Sequence, residues 1–77
     1  MTAHAYIMRE DVPPAVSCAV WYCDAIEETV WSFSGCPFSA RPHADGELEF
    51  VVPRDWSARR GLFEWFEYFG IPYRVLP

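Results

Sequence analysis

The chain has 77 residues, a formal net charge of −5 and 52% hydrophobic residues, which describes one folded domain rather than a disordered tail. No apolar run approaches the roughly 18 residues of a membrane span, and acidity without clustered positive charge argues against direct nucleic-acid binding. The opening Met1-Thr2-Ala3-His4-Ala5 lacks the basic-then-apolar order of a secretory leader, so a cytoplasmic protein is the expectation.

Residues 3–9 carry Tyr6 and Ile7 in a short apolar segment that reads as a strand, and Pro13-Pro14 ends any ladder beyond it. Residues 16–34 admit two readings. Val, Trp, Tyr, Thr and Phe dominate 16–23 and 29–34, which favours two strands joined by a five-residue hairpin loop at 24–28. A helix is the alternative, with Val16, Ala19, Val20, Cys23, Ile26, Val30 and Phe33 on one stripe, Pro13-Pro14 opening it and Gly35 closing it. Residues 35–46 hold Pro37, Pro42 and Asp45-Gly46 and read as a loop, with 38–41 able to extend briefly. In residues 47–52, Leu48, Phe50 and Val52 alternate with Glu47, Glu49 and Val51, the pattern of a strand with one dry face.

The strongest signal is residues 56–69, where Asp55 offers an N-cap and Gly70 a stop. Helical spacing puts Ala58, Leu62, Trp65, Phe66 and Phe69 on a core stripe. Ser57, Arg60, Glu64 and Glu67 fall on the polar face, with Arg60 and Glu64 four apart. Residues 72–76 form a final short strand. The fold class is therefore α+β, a small two-layer domain with an antiparallel sheet covered by one helix. A helix at 16–34 would turn it into the ferredoxin-like βαββαβ order.

Catalytic chemistry has little to stand on. Cys18, Cys23, Cys36 and His43 give C-x4-C-x12-C-x6-H, wider than structural zinc spacing at both ends, so no metal or cofactor is expected. Cys36 and His43 share a loop, but nothing nearby would lower the thiol pKa, and a packed cysteine is the simpler reading. Paired carboxylates such as Glu27-Glu28 lack a walled pocket in so short a chain. The chain is therefore read as a non-enzyme.

Binding is better supported. Residues 1–52 hold eight acids (Glu10, Asp11, Asp24, Glu27, Glu28, Asp45, Glu47 and Glu49) against Arg9 and Arg41, whereas residues 53–77 are close to neutral. Acidic patches steer encounters with basic surfaces, so these eight, joined by Trp56 and Phe63 at the edge of the helical stripe, are the candidate partner-binding residues. Four Trp, four Tyr and six Phe exceed what so small a core can hide, which points to aromatic contacts with a larger protein or, alternatively, across a homodimer.

In size, acidity and lack of catalytic residues the chain is similar in profile to phage-encoded inhibitors of host defence, anti-CRISPR proteins among them. The likeness covers no motif and transfers no site residue. It implies a partner that handles nucleic acid, blocked through its basic surface.

Overall fold

The β-rich composition of residues 16–34 prevails over their helical stripe. The computed structural model describes residues 2–77, and in it this segment forms a hairpin. The elements in order are β1 (His4–Met8), β2 (Cys18–Cys23), β3 (Glu28–Phe33), β4 (Arg41–Pro42), β5 (Glu47–Val51), α1 (Trp56–Tyr68) and β6 (Arg74–Leu76), with short 3-10 turns at Arg9–Asp11 and Ala44–Gly46. The βαββαβ alternative requires a helix where the chain is extended. Val16 lies in the connection before β2 and packs against the core rather than opening the strand.

All strand neighbours are antiparallel. Four strands run in the order β4-β5-β1-β6, and β2 pairs with β3. Reciprocal hydrogen bonds between Trp31 and Ala40, both 2.8 Å, join the hairpin to the rest. The spatial order is thus β2-β3-β4-β5-β1-β6, with β2 and β6 at the edges.

The alternation in β5 places Leu48 and Phe50 inward, opposite Ile7 and Ala5 of β1, all four buried. Helix α1 covers this face with Leu62, Trp65 and Phe66. Phe50 meets Phe66 edge-on at 5.3 Å, and Trp65 Nε1 donates to the Ser34 carbonyl at 3.2 Å, fixing the helix to the chain after β3. Ala58 and Phe69 lie half-buried beside the stripe, and Arg60 pairs with Glu64 at 3.0 Å on the wet side.

The helix ends follow their sequence signals. The Asp55 carboxylate accepts from Ala58 N–H at 2.9 Å. At the other end Gly70 takes φ +66, its N–H bonds the Glu67 carbonyl, and Ile71 N–H bonds the Phe66 carbonyl, a Schellman closure that turns the chain toward β6. Among the described residues no helix is long and apolar enough to cross a membrane.

Phe66→Ala is expected to destabilise the fold by about 3–5 kcal/mol, most of what a domain this small possesses, whereas Asp55→Ala is expected to cost about 1 kcal/mol. Urea denaturation of the two variants beside the parent checks the ranking.

Candidate functional site

Antiparallel order fixes where the turns lie. β1 ends where β5 begins, since Met8 pairs with Glu47, and Trp31↔Ala40 aligns the start of β3 with the end of β4. The Arg9–Asp11 turn, the β2–β3 turn and the Ala44–Gly46 turn therefore share one end of the sheet. Glu10, Asp11, Asp24, Glu27 and Asp45 are exposed there. Among the described residues these five carboxylates make no ion pair.

Two of the five sit on unusual backbone. Among the described residues, the two non-glycine residues with left-handed φ are Glu27 (+54°) and Asp45 (+56°). An aspartate tolerates this conformation through local hydrogen bonding; a glutamate does so less readily, at a cost of about 1 kcal/mol. Single left-handed residues of this kind are held in place by the short turns they close.

The other three predicted acids have a different setting. They lie on the sheet face away from α1, within a network of ion pairs. Arg41 reaches Glu28 at 2.8 Å and Glu49 at 3.3 Å, bridging β3 and β5 with the fork that only arginine provides. Glu47 receives Arg74 at 2.7 Å and His43 at 3.0 Å, and the Tyr6 hydroxyl donates to Glu49 at 2.8 Å. The Arg74 guanidinium also lies over the Tyr6 ring, 4.6 Å from its centroid. The hydrogen bond from Arg74 holds the Glu47 carboxyl below the usual carboxylate range, against partial burial and with help from His43. The hydrogen bond to Glu49 pushes the Tyr6 phenol up. The sequence pattern did not mark Tyr6, Arg41 or Arg74 as part of this face, because their partners come from other strands, and it set His43 beside Cys36 rather than beside Glu47, four residues on. The alternation of Glu47 and Glu49 in β5 was the one clue that this face is polar.

Trp56 and Phe63 separate. Phe63 is half-buried and stacks on Tyr73, with centroids 5.2 Å apart and planes at 17°. Trp56 is 71% exposed, with Arg59 over its ring at 6.0 Å. A shallow groove lined by Trp56, Arg59, Arg60, Phe63, Glu64 and Glu67 runs along this side of the helix.

The cysteines do not converge. Cys18 and Cys23 start and end β2 on opposite faces. The Cys36 thiol donates to the Phe38 carbonyl at 3.2 Å, and burial pushes it up. His43 instead contacts Glu47, and β4 lies between the two residues in the chain. Among the described residues no three His, Cys, Asp or Glu side chains are grouped to hold a metal ion.

No family model matches this chain, and no curated protein or solved structure matches it either.

The lowered Glu47 pKa carries a signed pH dependence. Its contribution to stability is fully present above pH 4.5, the ordinary value, and is lost as acid takes the carboxyl through its lower native pKa. Arg74→Met is expected to flatten this acid limb by removing a small stabilisation at neutral pH while leaving stability near pH 2 unchanged, as checked by thermal melts between roughly pH 2 and 7.

Proposed function

We propose that this chain is a small, acidic, non-enzymatic protein-binding module, a two-layer platform acting in the cytoplasm that docks its acidic sheet end on the basic surface of a larger protein. The observation that carries the reading is the backbone of Glu27 and Asp45. Both are held in a left-handed conformation that glycine would adopt without strain, on turns where their charges are unpaired and where Glu10, Asp11 and Asp24 add to them. Acids at loop tips imitate the spaced negative charge of a phosphate backbone. Glu28, Glu47 and Glu49 contribute by bracing the sheet face beneath the turns, and Trp56 offers an exposed aromatic on the helix side.

The class of partner is drawn from the profile likeness to phage-encoded inhibitors such as anti-CRISPR proteins: a nucleic-acid-handling complex whose basic groove is blocked by mimicry of nucleic acid. Direct binding of nucleic acid and of membranes is not part of this reading, since five exposed and unpaired carboxylates at one end repel both.

Partners retained from host lysate at low ionic strength are expected to be basic and to elute by roughly 0.5 M salt. The double reversal Asp24→Lys, Glu27→Lys is expected to cut that retention at least about tenfold. Retention that is unchanged by the reversal, or that survives high salt, sinks the proposal. Glu27→Gly offers a second measurement: it is expected to raise stability by about 1 kcal/mol while weakening binding, the separation of the two effects that a functional strain requires.

A further inference from the structure

The two edges of the sheet are treated differently. β6 is three residues long, flanked by Pro72 and Pro77 and opened by Arg74, all devices that blunt an edge. β2 has none of them. Its six residues, Cys-Ala-Val-Trp-Tyr-Cys, contain no charge and no proline, and Val20, Trp21 and Tyr22 are 51%, 49% and 58% exposed. Large apolar groups thus stand on both faces of an open edge strand.

The direction of its free backbone groups can be read from the ladder. Ser34 N–H donates to the Ser17 carbonyl, and antiparallel pairing alternates, so residues 17, 19, 21 and 23 direct their backbone groups to β3. Cys18, Val20 and Tyr22 direct theirs outward. Trp31, opposite Val20, agrees with this phase, because its N–H and C=O bond Ala40 on the other side.

We propose that this edge is a dimerisation surface whose occupant is β2 of a second copy, paired antiparallel about a two-fold axis through Val20. In that register Val20 faces Val20, and Cys18 faces Tyr22 in both directions, so every outward N–H and C=O of the three residues finds its complement in about six main-chain hydrogen bonds. Ala19 of each copy then lies opposite Trp21 of the other, small against large, so the indole is covered without a clash. Charge selects the same arrangement. Asp24 and Glu27 lie beyond one end of β2 only, and the antiparallel two-fold carries the second copy's acidic turn to the opposite end, beside uncharged Ser17. A parallel pairing would set the two acidic turns side by side. A basic partner, suited to the acidic end, finds no complementary charge along β2.

The dimer is reversible, because one strand pair covers less than the roughly 800 Å² per partner of a standard stable interface. It presents the two acidic ends at opposite ends of one continuous sheet.

Sedimentation velocity over roughly 10 to 500 µM protein is expected to show a shift from monomer to dimer. Added salt is expected to strengthen the dimer by screening the net negative charge, the reverse of its effect on a basic partner, so the two proposals fail separately. Val20→Pro removes an outward N–H and leaves the β3 ladder intact; it is expected to give a monomer with unchanged far-ultraviolet circular dichroism. Leu76→Lys, at the other edge, is expected to leave the dimer in place. Hydrogen exchange of the parent protein supplies a test that needs no variant. The Cys18, Val20 and Tyr22 amides should slow with concentration, while those of Ala19 and Trp21 should not change. A protein that stays monomeric throughout overturns the proposal and leaves the edge to a foreign strand. So does a dimer that persists in a folded Val20→Pro, or one that forms without slowing those three amides.

Discussion

The contact between Phe66 and the inner face of β1 and β5 is the constraint on which the remainder of this structure depends. Phe66 is fully buried, meets Phe50 edge-on, and gathers Phe63, Trp65 and Tyr73 around it. Ala5 opposite Phe50 keeps the sheet surface low enough for the ring to seat. A chain of 77 residues can build only one such centre, so the aromatic groups that do not reach it must lie at its margins. That accounts for Tyr73, stacked at the rim, and for Trp56, exposed at the first position of the helix.

Burial on one face leaves the other to polar groups, and there the chain has used its arginines with economy. Arg41 engages carboxylates of β3 and β5 and Arg74 engages one of β5, and so the two tie β3, β4, β5 and β6 together across the face that α1 does not cover. Exposed ion pairs contribute little singly, but a shared guanidinium fork orients several partners at once. The consequence for electrostatics is a division of labour. Glu28, Glu47 and Glu49 are answered locally, and the unbalanced charge is carried by the turns at one end. Net charge alone would describe an evenly acidic surface; the pairing makes it a directional one.

The same antiparallel order that gathers the turns also creates the open edge. The hairpin of β2 and β3 joins the sheet through one bridge, and α1 lies over β1 and β5, so β2 stands beyond the reach of the helix. Its apolar side chains are therefore exposed as a result of topology rather than of composition. The acidic end and the uncharged edge are separate surfaces. The two bindings proposed for them therefore use different parts of the molecule.

Residues 47–71 were legible almost residue by residue. Alternation in β5, the Asp55 cap, the aromatic stripe and the Gly70 stop are local rules, each settled by a few neighbouring positions, and the core stripe of Leu62, Trp65 and Phe66 is a consequence of helical spacing. The β-branched and aromatic content of residues 18–33 favoured strands over a helix, though period alone left both open. The eight acids were visible in the chain, but their sorting was not. Whether a carboxylate meets an arginine depends on strand register, and Arg74 lies 27 residues from Glu47. Composition likewise announced surplus aromatics without saying which. An uncharged run such as β2 reads as an interior strand, buried on both faces, and only its position at the edge of the sheet exposes it. The sequence by itself determined the elements and their dry faces, because those rest on local spacing. The tertiary structure alone decided which charges remain free and which strand remains open, because both are set by long-range pairing.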